Sequence, residues 1–149
     1  MTEIRTAIMS DRSAVEAIVQ AAYAVYVPRI GRKPGPMLDD YAALISDGRV
    51  HVVADGGRIR GVVVLIPEKE SMLLDNVAVS PDAKGQGYGR TLIEFAERST
   101  LDAGYGSIRL YTHEMMTENL AMYSRIGFVE THRAEEKGLR RVFMTKRLS

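Results

Sequence analysis

Gly85, Gly87 and Gly89 alternate with Gln86 and Tyr88, just after a strand-like apolar run that ends at Val79 and just as a helical pattern from Tyr88 to Ala103 begins. Glycine lets the backbone take positive φ and carries no side chain to hold a bulky ligand away. The start of a helix adds unpaired N–H groups and the positive end of the macrodipole. Together these residue types make a phosphate cradle, and Lys84 and Arg90 on either side bring the positive charge a pyrophosphate requires. Two common phosphate motifs fail on spacing. A nucleotide P-loop needs four residues between its glycines and then Gly-Lys-Ser/Thr, whereas this turn runs into Arg90-Thr91. A dinucleotide fingerprint needs its third glycine one place later and an acid at the end of the next strand, but Ser107 to Thr112 closes without one.

The stretch Lys84-Gly-Gln-Gly-Tyr-Gly89 resembles the acyl-CoA loop of the GNAT superfamily of N-acyltransferases, Arg/Gln-x-x-Gly-x-Gly/Ala, with Lys in place of Arg or Gln at the first position. The preceding Val77-Ala-Val-Ser-Pro and the later Asn119-Leu-Ala-Met-Tyr123-Ser-Arg-Ile-Gly-Phe-Val-Glu are similar to the family's segments in the same order, so the resemblance covers residues 72 to 131. It implies acetyl-CoA as acyl donor and acetyl transfer to a primary amine by direct attack in a ternary complex; no metal is expected, since the chain has no cysteine and its three histidines lie far apart. Lys84, Gly85, Gln86, Gly87, Tyr88, Gly89 and Arg90 would then hold the pyrophosphate. A bulge at Val77 to Val79 would offer a free amide to the thioester carbonyl, and the main chain of Val77, Ala78 and Val79 would pair with the pantetheine amides as an added strand does.

Acyl transfer to an amine sets two proton problems: the protonated amine must lose a proton, and the departing thiolate leaves better if protonated. Tyr123 falls at the family's general-acid position, and a phenol with an ordinary pKa near 10 is protonated at working pH. Asn119, four residues earlier, shares its helical face and falls where the family contacts pantetheine or bound water. Asp75 sits on an otherwise apolar strand, where a carboxylate is costly without a partner or a task. It is the first candidate for general base, directly or through water, beside an ion-paired or hydrogen-bonded role; His113 and Glu114 are secondary candidates. A non-catalytic acyl-CoA sensor or interaction module on the same fold is the alternative reading, disfavoured because a sensor needs no acid near sulfur.

Ile4 to Ile8 reads as a first strand, with Ser10 placed to cap a helix whose Val15, Ile18, Val19, Ala22 and Tyr26 share one face and which Pro28 ends. Tyr23 and Tyr26 at its end either line a substrate pocket or pack as core aromatics. The basic, proline-held loop from Val27 to Met37 corresponds to the family's acceptor-site connection, so Arg29, Arg32 and Lys33 are candidates to meet an anionic group on the acceptor; otherwise they form a solvated basic loop. Leu38 to Ile45 reads as a short helix, and Asp39-Asp40-Tyr41 hints at a small polar acceptor. Val50–Asp55 and Arg60–Ile66 form a hairpin through Gly56-Gly57, and Leu73–Val79 follows as the next strand. Ser107–Thr112 is another strand, Thr117 caps a helix from Glu118 to Ile126 that Gly127 stops, and Phe128–Arg133 with Arg141–Lys146 forms a terminal hairpin around an exposed turn from Ala134 to Arg140. The expected fold is α/β: a central mixed, largely antiparallel sheet of about six or seven strands with helices on both faces. By the resemblance, the sheet splays between Leu73–Val79 and Ser107–Thr112.

The 149 residues suit one domain spanning 1–149, and 46% hydrophobic with 26% charged residues is the composition of an ordinary soluble globular protein. Cysteine is absent, which removes disulfides, thiolate catalysis and zinc–sulfur sites, and His51, His113 and His132 have no ligand spacing. A net charge of +1 gives no ground for nucleic acid or an anionic membrane as partner. The N-terminus lacks a signal-peptide core and no apolar run reaches a membrane span, so a cytoplasmic location is expected. The expected partners are a small-molecule amine or a protein amine, and a homodimer.

Overall fold

The computed structural model of the chain describes residues 2–149. Among them, strands β1 (Thr2–Thr6), β2 (Val50–Asp55), β3 (Arg58–Pro67), β4 (Met72–Val79), β5 (Ser107–His113), β6 (Val129–Glu136) and β7 (Leu139–Arg147) form one sheet in the order β1-β2-β3-β4-β5-β7-β6. The helices are α1 (Arg12–Tyr23), α2 (Val27–Ile30), α3 (Tyr41–Ser46), α4 (Tyr88–Asp102) and α5 (Thr117–Ile126). None of the described helices is long and apolar enough to cross a membrane.

β3 shows why the sheet is covered on both faces. Its consecutive apolar residues alternate sides: Val62 and Val64 pack with Val15, Val19 and Tyr23 of α1, while Val63 and Leu65 pack with Leu92, Ile93 and Ala96 of α4. A strand with two buried faces has to be apolar at successive positions. The core therefore lies in two layers, α1 and α3 on one side and α4 and α5 on the other.

Every neighbouring pair is antiparallel except β4 with β5, whose parallel pairing consists of Met72 with Ile108 and Leu73 with Arg109. Past these residues the two strands part. Arg109 secures the closed end through a bidentate pair with Glu68, at 2.6 and 2.9 Å. The expected splay is thus present, and it opens from Leu74 onward toward the glycine turn.

Five local expectations change. Thr117 does not cap α5: it is the helix's first residue, after Met116 at the N-cap position, with no side-chain cap bond. Pro28 does not end the first helix: a single 3-10 turn, Ala24–Tyr26, passes the chain into α2, where Pro28 occupies a first-turn position that needs no N–H. Ser10 does not cap α1. The Asp11 carboxylate instead reaches back to the Ile8 N–H at 2.8 Å while paired with Arg5, and so ends β1 at Thr6. The second helix starts at Tyr41 rather than Leu38, because the Asp40 side chain caps it by accepting from the Ala43 N–H at 3.1 Å. The segment from Ala134 to Arg140 is no exposed loop. β6 and β7 run through it and turn at Lys137-Gly138 alone, both with positive φ (53° and 78°), the two-residue turn whose twist matches the flanking strands.

Candidate active site

β4 delivers the site. Its register against β3 slips once, pairing Val64 with Asn76 but Leu65 with Leu74, so that Asp75 is the extra residue of a β-bulge. The bulge lies here and not at Val77 to Val79, which pair regularly with Val63, Val62 and Gly61. A bulge re-aims side chains. Met72, Leu74 and Val77 all reach the α4 layer, a parity change across Asp75 that turns Asn76 toward α1.

Where β4 leaves β5, a cleft of about 270 Å³ opens between the strands. Asp75, Asn119, Tyr123 and Tyr23 line it, together with Asp39, Tyr111 and, from the hairpin, Lys137 and Arg141. Tyr123 comes from α5, which ends in a Gly127 turn (φ 116°) whose following Phe128 N–H bonds the Tyr123 carbonyl at 3.0 Å. The Tyr123 ring packs edge-on against Phe128 at 5.7 Å, and its hydroxyl opens on the cleft without a protein partner among the described residues. Burial pushes this phenol further above its ordinary value, so it stays protonated.

Asp75 is half-buried, and its carboxyl is pushed up to about 8, first by burial and then by the hydrogen bond and charge of Asp39. Two acids facing each other in a partly dry cleft cannot both ionise cheaply, so the protonated Asp75 donates to Asp39. A buried network holds the two together. The Tyr23 hydroxyl donates to Asn76 Oδ1 (3.0 Å) and the Val77 carbonyl (3.2 Å), Asn76 Nδ2 donates to the Tyr41 hydroxyl (2.8 Å), and Tyr41 donates to the Pro36 carbonyl (2.5 Å). This ties the turn before Asp39 down onto β4.

The glycine turn follows Val79 and a 3-10 turn, Pro81–Ala83. Gly85 and Gly87 have φ of 81° and 84°, and a Cβ built on either meets nothing within 4 Å. The first backbone bond of α4 runs from the Thr91 N–H to the Gly87 carbonyl at 3.0 Å, so the amides of Tyr88, Gly89 and Arg90 precede it. The turn is a cradle that any side chain would fill, and it fits a pyrophosphate. Lys84 and Arg90 are exposed beside it. Gly89 is different: it is helical and packs its backbone near Val79. The Tyr88 side chain points into the core and donates to Asp55 at 2.9 Å, so only its main chain faces outward.

The other predicted positions divide. Tyr23 lines the cleft, whereas Tyr26 lies under Arg29 at 5.4 Å and donates to Asn119 Oδ1 at 3.4 Å, fixing that amide. Arg29 is paired with Glu118 at 2.7 Å, and Arg32 donates to the Lys137 carbonyl. Neither these two nor Lys33 lines the cleft; from their loop Pro34, Gly35 and Pro36 do. His113 reaches the lining, while Glu114 is bound to Arg140 at 3.2 Å and to Arg133 at 3.5 Å. Sequence reasoning passed over Asn76, Tyr111, Lys137 and Arg141. For Asn76 a signal existed: a second polar residue in an otherwise apolar strand, once buried, needs hydrogen-bond partners from the elements packed on it.

Residues 46–130 match the family described as Acetyltransferase (GNAT) domain, more than half of the chain. The chain belongs to the GNAT acetyltransferase family. Among curated relatives of this family, it is 29% identical over 94 residues to N-acetyltransferase family 8 member 2 of Rattus norvegicus, covering 59% of this chain and 42% of that protein. It is 37% identical over 83 residues to the mycothiol acetyltransferase of Jonesia denitrificans, covering 54% of this chain and 26% of that one. The matched segments thus span less than half the length of these relatives. In fold, this GNAT chain superposes on the ribosomal-protein-S18-alanine N-acetyltransferase of Escherichia coli with a TM-score of 0.79 at 20% identity, over 100% of this chain and 95% of the other.

Proposed function

We propose that the chain transfers an acetyl group from acetyl-CoA to a primary amine, both bound together in the cleft between β4 and β5. The observation that carries this reading is the meeting of Asp75 and Tyr123 in one cleft, on the strand that runs on into the glycine cradle. Acetyl-CoA, when bound, supplies an activated thioester carbonyl. The cradle amides and Lys84 and Arg90 hold the pyrophosphate, and the β4 edge left open by the splay receives the pantetheine arm, with Asn119 beside it.

Positioning both reactants in one cleft is worth up to ~7–11 kcal/mol of barrier. The chain's own groups then manage the protons. Asp75, ionised, accepts a proton from the ammonium and frees its lone pair. As the N–C bond forms and the C–S bond breaks, the Tyr123 O–H protonates the sulfur; the second amine proton leaves through water in the cleft, which returns a proton to the Tyr123 phenolate, and Asp75 gives up its proton to solvent. The products are an amide and free CoA thiol.

Thermal stabilisation by acetyl-CoA and CoA but not ATP, followed by thiol release dependent on an added amine, tests the reading. Stabilisation by CoA ligands with no thiol release across the amine panel would favour the non-catalytic sensor. No stabilisation by either CoA ligand would remove the cradle assignment altogether.

A further inference from the structure

We propose that the acceptor is a free amino acid, its ammonium held at the Asp39–Asp75 pair and its carboxylate by Arg141 with Lys137. The proposal rests on the acyl-transfer reading and adds the substrate's chemistry to it.

The cleft lining carries charges of both signs: Asp39 and Asp75, and Lys137 and Arg141 from the β6–β7 hairpin. Tyr111 stands between them. Arg141 lies over its ring at 4.5 Å, and the phenol feels the negative charges of Asp75 and Asp39 as well as the positive charge of Arg141. Of the basic residues first expected to meet an anionic acceptor, Arg29 is engaged with Glu118 and Arg32 with the Lys137 carbonyl, and Lys33 does not line the cleft. Anion recognition therefore passes to the hairpin, which reaches the cleft because its strands extend to Lys137-Gly138.

Arg141 is suited to the task. Its side chain is only 20% exposed, yet its carboxylate partner Glu136 stands at 3.7 Å, well beyond the ~2.7–2.9 Å of a close charge-assisted bond. Its planar fork is left able to take a carboxylate bidentately. The Lys137 ammonium makes no ion pair among the described residues and adds a second positive charge at the turn. A polyamine would answer the acid pair alone, but its second ammonium would meet Arg141 and Lys137. A simple alkylamine would leave Arg141 buried without a new partner.

The test is thiol release from acetyl-CoA with three matched acceptor sets: the standard L-amino acids, their C-terminal amides, and α,ω-diamines. The expected result is a kcat/KM for the best amino acid about 10–100-fold above that for its amide, the scale of a lost charge-assisted bond. In Arg141→Met and, more weakly, in Lys137→Met on the exposed turn, that ratio collapses toward one. Each amide serves as the internal control for a folded variant. Amides or diamines used as well as acids by the unaltered protein, or variants that leave the ratio intact, would overturn the acceptor assignment alone. No thiol release with any set would overturn the acyl-transfer reading and this inference with it.

Discussion

Asp39 and Asp75, far apart in sequence, meet as a hydrogen-bonded acid pair where β4 parts from β5. One comes from the turn that Tyr41 and Asn76 tie down, the other from a bulge in β4. Their proximity is what raises the Asp75 carboxyl beyond the effect of burial.

A base held up to about 8 must be deprotonated to work, so kcat/KM should rise with pH through that region. Tyr123, held above its ordinary 10.0 by burial, should give no falling limb below about pH 10. Asp39→Asn removes both the hydrogen-bond acceptor and the charge that favour protonated Asp75, and should move the rising limb to lower pH with the same amine. A limb that stays in place would exclude the pair from the titration.

The same shift has a consequence for stability. Asp75 titrates near 3.8 when unfolded and near 8 when folded, so between these values the folded state holds a proton that the unfolded chain has lost. Stability contributed by this group is therefore complete at low pH and falls as pH rises across the window. Asp75→Asn keeps a donor to Asp39 without the titration. Its Tm should match that of the unaltered protein near pH 4 and exceed it near pH 8; equal values at both would contradict the raised carboxyl.

Gly87 has φ of 84° and open space where a Cβ would stand, as does Gly48 with φ of 74°, outside the cradle. Either changed to Ala should cost about 1–2 kcal/mol from left-handed backbone strain. Only Gly87→Ala should also weaken acetyl-CoA binding, measured by calorimetry. Equal CoA affinity in the two variants would show that the glycine turn holds no pyrophosphate.

Asn76 is buried and satisfies both the Tyr23 and Tyr41 hydroxyls. Asn76→Ala should cost about 1–3 kcal/mol in urea unfolding, the usual penalty of leaving buried polar groups unpaired. Because the turn before Asp39 is released, the rising pH limb should also move down, as in Asp39→Asn. Lost stability with an unmoved limb would make the network a brace only.

The features legible in sequence were those whose causes are local. The cradle is written in alternating glycines beside a helix start, and Tyr88 begins α4 as the pattern requires. Gly56-Gly57 turns the hairpin, with both φ positive. The bulge at Asp75 was not legible, because it is a register slip defined against β3 rather than a property of β4 alone. Nor was the reach of the last hairpin. β6 is exposed at every position, so beyond Arg133 it carries no alternation to mark it as a strand, and its charges there read as a turn. With the hairpin mis-sized, Lys137 and Arg141 stayed out of view. Arg29 and Arg32 were visible as charges, but their occupation by Glu118 and the Lys137 carbonyl depends on elements from the other end of the chain.

The most direct measurement is amine-dependent thiol release from acetyl-CoA by the unaltered protein and Tyr123→Phe, with CoA affinity determined for both. The account predicts transfer by the unaltered protein and a loss of roughly 10–10⁴-fold in kcat for Tyr123→Phe at nearly equal CoA affinity, the range of acid–base catalysis with partial rescue by water. Full turnover without the Tyr123 hydroxyl would contradict its role as the acid that releases the thiol.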